Sequence, residues 1–214
     1  MKAIIIGGTG ATGKELVKQL LEDSRFDEVT VLVRKSYFKQ QPRLTEILVD
    51  FEKLSSYKEL IHGDVAFSCL GTTLKDAGSK EAQWRVDHDY QLEFASIAKE
   101  NGVESFILIS AVGASANSFF FYNKMKGTLE QRIRELNIEQ FVVLHPGGIE
   151  RPNSTRKGEK FGIKLIKALN AVGILRGYAP ITVNRLAKAM IASYFNFKFP
   201  FKIVSLREIK KLSM

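Results

Sequence analysis

Residues 4–15 read IIIGGTGATGKE, an apolar run that meets a cluster of glycines and then turns amphipathic. Leu16, Val17, Leu20 and Leu21 follow at helical spacing, so the segment reads as buried strand, glycine turn and helix. No other feature restricts the fold as much. A strand that feeds a helix through glycines brings the helix N-terminus, with its unpaired amides and partial positive charge, to the turn, and such a place binds anions. Gly8, Gly10 and Gly13 fit G-x-G-x-x-G, the turn that holds a dinucleotide pyrophosphate, and counting from Gly7 gives G-x-x-G-x-x-G.

A second phosphate loop comes close to the same letters. Gly8 to Lys14 spells Gly-x-x-x-x-Gly-Lys, but Glu15 stands where a P-loop needs Ser or Thr to ligate Mg²⁺. A carboxylate there repels phosphate. Asp50 after EILV has the place of a metal-binding acid, yet almost any strand followed by Asp would qualify. The dinucleotide reading needs no missing atom. Gly7 or Gly8 makes the tight turn, Gly10 lets backbone approach the pyrophosphate, and Gly13 lets helix pack on strand. Thr9, Ala11 and Thr12 complete that loop.

NAD-specific sites carry an acidic residue about 20 positions further on, for the ribose hydroxyls. Here VTVLVR ends in Arg34 and Lys35 with no acid. A guanidinium there pairs with a 2′-phosphate, which an aspartate would repel, so the expected cofactor is NADP(H). Arg34 as an ordinary surface cation is the competing reading. Asp50 either hydrogen-bonds the adenine amine or simply ends its strand. The CLGTT turn, with Leu70, Gly71 and Thr72, is expected along the cofactor; Cys69, with no partner base, reads as a buried thiol.

Apolar runs then alternate with amphipathic stretches. KAIIIG, VTVLVR, LTEILVD, DVAFSCLG, SFILIS and QFVVLHPGG read as six strands. A helix from about Ser79 to Glu100 closes at Asn101-Gly102, and another spans roughly 121–136. Strands this uniformly apolar belong to a sheet covered on both faces, which predicts an α/β fold with a doubly wound parallel sheet. Past Gly148, NSTRKGEK reads as loop, FGIKLIKAL and Val183 to Asn196 as helices, FKIVSL as a last strand and REIKKL as a short helix. The expectation is a single domain over 1–214, with about 149–200 contributing a small C-terminal substrate lobe.

Charge is unevenly placed. Residues 1–150 hold 18 Lys+Arg against 21 Asp+Glu, and residues 151–214 hold 14 against 2. The plain reading is a basic soluble surface; the sharper one is a basic lobe facing an anionic substrate, an acidic partner or a membrane surface. No nucleic-acid module is recognisable. No run approaches the roughly 18 apolar residues of a membrane span, and no secretory signal is legible. The single cysteine suits a reducing compartment, hence an expected cytoplasmic location. His62, His88 and His145 lack ligand spacing, so no metal site is expected. No feature dictates an oligomeric state.

For chemistry, YNKMK sets Tyr122 and Lys126 four apart on one helix face. Carbonyl reduction beside a nicotinamide needs a proton donor active near neutrality. Free tyrosine titrates near 10, and a neighbouring ammonium favours the phenolate. Lys126 would supply that field and bind ribose hydroxyls, while Ser110 in ISAVG would hold the substrate carbonyl. Spacing alone is weak evidence, because Tyr194 and Lys198 share it. Tyr122 differs in place: it follows the fifth strand, on the side where strand ends form the ligand crevice.

These residues resemble the atypical branch of the short-chain dehydrogenase/reductase superfamily, and in particular its Tat-interacting-protein-like members. GGTGATGKEL, VDFEKL, SCLGTT, RVDHDYQLEFASIAKENGV, LISAVGASANS, FYNKMKGTLE and HPGGIERPNSTRKGE carry the likeness. It implies a Rossmann-like fold that binds NADP(H), with Asp50 and Phe51 beside the cofactor and Ser110, Tyr122 and Lys126 at the catalytic positions. The implied activity is hydride transfer to or from a small carbonyl or alcohol compound. Ala111 and His145 depart from the family pattern, and His145 reads as structural or pocket-lining. The alternative is a regulator that holds NADPH and engages a partner through its basic C-terminal third. Nucleotide-sugar epimerases share the early motifs but usually carry a larger substrate domain than the residues after 149 provide.

Overall fold

The computed structural model describes residues 1–150 and 180–214. The loop expected over NSTRKGEK, the helix expected over FGIKLIKAL and much of the expected substrate lobe lie outside them. Chain order is β1 (Lys2–Ile6), α1 (Ala11–Glu22), β2 (Glu28–Val33), β3 (Leu44–Leu48), a 3₁₀ segment (Phe51–Leu60) and β4 (Val65–Ser68). Next come α2 (Leu74–Ala77), α3 (Lys80–Trp84), a π turn (Arg85–Asp89), α4 (Tyr90–Glu100), β5 (Ser105–Ile109), α5 (Phe121–Glu135), β6 (Gln140–Leu144) and β7 (Ile149–Glu150). The described C-terminal part holds β8 (Ile181–Thr182), α6 (Val183–Asn196), β9 (Phe201–Val204) and α7 (Leu206–Leu212).

Seven strands form one sheet in the order β3-β2-β1-β4-β5-β6-β9, every neighbouring pair parallel. The short β7 and β8 pair separately, Ile149 opposite Ile181. The strand period of two explains the uniformly apolar runs. In β1, Ala3 and Ile5 enter one core and Ile4 and Ile6 the other. The first core lies under α1, α6 and α7, with Leu16, Leu20, Leu186, Met190 and Ile209. The second lies under the 3₁₀ segment, α4 and α5, with Leu54, Phe94, Leu129 and Ile133. This is a doubly wound, Rossmann-like α/β fold.

Connections leave β1 toward β2 on one side and reach β4 on the other, so the crevice outside their carboxyl ends is where such sheets take ligands. The long helix expected from Ser79 runs without interruption from Lys80 to Glu100 and carries the π turn within it, an irregularity common at functional sites. It closes as expected at Asn101, with Gly102 at φ +77°. Among the described residues no helix is long and apolar enough to cross a membrane.

Candidate nucleotide and catalytic site

The glycine turn is built by close approach. Gly7 has φ +74°, and a Cβ there would lie 2.4 Å from the Leu70 amide nitrogen. At Gly13 a Cβ would stand 2.2 Å from the Gly7 carbonyl oxygen. Both glycines are required by the fold itself. Gly10 is different: its added Cβ would touch only the Gly7 oxygen, at 3.2 Å. Gly10 caps α1 without a side-chain hydrogen bond, leaving first-turn amides to a ligand. A cradle that one methyl group would fill, at a helix N-terminus facing the crevice, fits a dinucleotide pyrophosphate.

The P-loop alternative finds no support in the same loop. Lys14 Nζ lies 4.1 Å above the Tyr37 ring. Glu15 accepts hydrogen bonds from Gln19 (2.9 Å) and Asn184 (2.6 Å), which turns it toward α6. The Gln19 bond, with that from Asn184, holds its carboxyl below the ordinary range against the cost of burial.

A cavity of about 170 Å³ opens beside the turn and gathers predicted residues from four places in the sequence. Gly10, Ala11 and Thr12 form one wall, and Cys69 to Thr72, after β4, form a second. Ser110 comes from the end of β5, and Tyr122 and Lys126 from the first turns of α5. Gly7, Gly8, Thr9 and Gly13 make the turn behind that wall. Arg34 and Lys35 are exposed at the carboxyl end of β2 and do not line the cavity. Asp50 accepts from the Glu52 amide (3.0 Å) and so caps the 3₁₀ segment. Phe51 is buried, its ring 5.6 Å from that of Tyr90. Arg34 lies near enough to Tyr90 to favour its phenolate, yet burial and the Glu52 carboxylate push that hydroxyl up to about 12.

Two acids not singled out from the sequence hold Ser110 and Lys126 in place. Lys126, buried, pairs with buried Asp87 of the π turn at 3.2 Å. Asp87 also accepts the Thr72 amide at 2.7 Å, while Gln91 donates to the Asp87 carbonyl and accepts from Ser68, both at 2.7 Å. The Lys126 ammonium is thus held by a carboxylate that also fixes the turn after β4. Glu130, one helical turn on, takes the Ser110 hydroxyl hydrogen and lies 2.9 Å from His145 Nε2 through the same oxygen. That changes the expectation for Ser110: its hydrogen goes to Glu130, so toward the cavity its oxygen can only accept. Tyr122 is 40% exposed at the rim.

The spacing duplicate sits elsewhere. Tyr194, on α6, packs against Phe26 and Phe195 with Lys198 5.0 Å from its ring. Burial pushes its hydroxyl pKa up, the wrong direction for a proton donor. Cys69 is partly buried rather than wholly so; its sulfur lies 3.9 Å from that of Met190, and desolvation raises its pKa.

Similarity to known proteins agrees with this geometry. The family model described as NAD(P)H-binding matches residues 7–160. Protein HTATIP2 of Rattus norvegicus is 37% identical over 193 residues, covering 87% of this chain and 78% of its own. The mitochondrial protein FMP52 of Eremothecium gossypii is 39% identical over 149 residues, 69% of this chain and 66% of its own. Among solved structures, MoeE5 in complex with UDP-glucose and NAD superposes with TM-score 0.73 at 15% identity, over 100% of this chain and 81% of its own. The oxidoreductase ylbE from Lactococcus lactis gives TM-score 0.69 at 17% identity, over 99% and 95%.

Proposed function

The chain belongs to the NAD(P)H-binding family, and on that basis we propose that it is an NADP(H)-dependent oxidoreductase acting on a small carbonyl compound or its alcohol. One observation carries the reading: Tyr122, Lys126 and Ser110 line the same cavity as the Gly10–Thr12 wall and the Leu70–Thr72 turn. Nucleotide-binding and proton-handling groups therefore share one space. MoeE5, solved in complex with NAD, accords with a pyridine nucleotide in such a fold.

The nicotinamide, when bound, supplies or accepts the hydride. The glycine turn and the α1 amides would hold the pyrophosphate, and Arg34 with Lys35 at the end of β2 would meet a 2′-phosphate. Tyr122 Oη donates its proton to the carbonyl oxygen as the alcohol forms, and takes it back in the reverse direction. Asp87 orders the Lys126 ammonium and also offsets its charge, so the field that Lys126 exerts on Tyr122 is weaker than that of an unpaired lysine. Lys126 keeps further N–H donors for ribose hydroxyls. Ser110 accepts from a substrate alcohol and does not donate to a carbonyl.

Turnover tests the reading. NADPH oxidation across a panel of small aldehydes and ketones should be detectable, and Tyr122→Phe should abolish it while leaving NADPH affinity in place. Turnover that survives Tyr122→Phe would remove the catalytic assignment. Tight NADPH binding with no turnover on any panel member would favour the regulator.

A further inference from the structure

A second cavity, of about 630 Å³, opens at the carboxyl ends of β6 and β9. Among the described residues, His145, Ser205, Arg207 and Lys210 are its polar lining and Val112, Ile203 and Leu206 its apolar lining, with no carboxylate. Among the described residues the charge around it is not neutralised locally. Glu208 is the only acid in residues 180–214, and it is engaged by Lys202 (2.6 Å) and by the Ser205 amide and hydroxyl (2.8 and 2.7 Å). Neither the Arg207 guanidinium nor the Lys210 ammonium has a carboxylate partner among the described residues. His145 joins this cavity to the catalytic one, since its Nε2 meets the Glu130 oxygen that also receives the Ser110 hydroxyl.

We propose that this cavity is a binding site for a small organic acid, with Arg207 and Lys210 receiving its carboxylate and Val112, Ile203 and Leu206 its apolar body. Among the described residues the site shares no lining residue with the Tyr122 cavity, so as a binding site it stands independently of the oxidoreductase reading. A guanidinium fork matches a carboxylate, and the cavity is larger than a bare ion needs. With Nε2 given to Glu130, Nδ1 is the ring's second polar atom. A ligand in the cavity therefore packs against a ring whose Nε2 meets Glu130. Occupation of the cavity is thereby coupled to the group that holds Ser110.

The test uses nucleotide-free full-length protein at constant ionic strength, with acetate, hexanoate or inorganic phosphate titrated while the His145 ring resonances are followed by NMR. Hexanoate should shift them saturably and bind more tightly than acetate, by about fourfold per methylene that becomes buried. The double variant Arg207→Gln/Lys210→Gln should weaken hexanoate at least about tenfold, the loss of one charge-assisted contact or more. Arg207 is exposed and the backbone contacts of Lys210 are untouched, so NADPH affinity, measured in parallel, should not change. No saturable shift, equal affinity in the variant, or phosphate binding in preference to hexanoate would overturn the proposal. NADPH titration in the same samples separately reports whether the nucleotide site stands.

Discussion

Lys126 Nζ lies 3.2 Å from the Asp87 carboxylate, and both side chains are almost wholly buried, at 3% and 1% exposure. The pair joins α5 to the π turn across 39 residues of sequence, and through the Thr72 amide it reaches the turn after β4. Removing one partner leaves the other charged and unpaired in the interior. Asp87→Ala should therefore cost about 3–5 kcal/mol in denaturant unfolding. Asp87→Ala/Lys126→Met should recover most of that loss, because the isolated charge is gone. Equal stability of Asp87→Ala and the parent would show that the pair does not organise the site.

The two kinds of glycine in the loop should separate folding from binding. Gly13→Ala forces a Cβ to within 2.2 Å of backbone, so it should destabilise by about 1–3 kcal/mol or more. Gly10→Ala meets only one atom, at 3.2 Å. It should melt close to the parent while NADPH affinity falls about tenfold or more, as the methyl occupies the approach of the pyrophosphate. Fluorescence titration and thermal melting on the same samples check both halves.

Arg34 should read the 2′-phosphate. Arg34→Gln removes a charge-assisted contact of ~1.5–3 kcal/mol, which weakens NADPH roughly 10- to 100-fold and leaves NADH nearly unchanged. Equal losses for both nucleotides would reduce Arg34 to a surface cation.

Glu208 gives a pH signature away from the site. Burial works against its ionisation, but hydrogen bonds from Lys202 and Ser205 prevail and hold its pKa at about 2, below the ordinary 4.5. A depressed carboxyl stabilises the fold above its unfolded pKa, and that contribution disappears as pH falls through the folded value. The stability gap between parent and Glu208→Gln should be full at neutral pH and close between about pH 4.5 and 2. The side chain is 36% exposed, so the gap should be small and should narrow with salt.

The regular parts of this fold are legible in the sequence because their causes are local. Ile4 and Ile6 on one face of β1 and Ala3 and Ile5 on the other write a doubly covered strand into four adjacent letters. The helix read over Val183 to Asn196 is the helix observed. The 3₁₀ segment is not legible, because FEKLSSYKEL has little helical periodicity and depends on the Asp50 cap. In the site, the glycine turn and the Tyr122–Lys126 spacing are visible, while Asp87 and Glu130 are not. Their pairing partners are Lys126 and His145, 39 and 15 residues away, and only the folded chain sets those contacts. A signal does exist for Glu130: Lys126, Glu130 and Ile133 recur at i, i+4 and i+7, a charged pair on the buried stripe of α5.

Everything proposed for Tyr122 requires that the groove between it and the glycine turn hold a pyridine dinucleotide. Calorimetric titration of the purified chain with NADPH addresses that requirement without any substrate. Saturable one-to-one binding is expected, weakened by Gly10→Ala and unaffected by Tyr122→Phe. No binding of either NADPH or NADP⁺ would contradict the assignment of this groove.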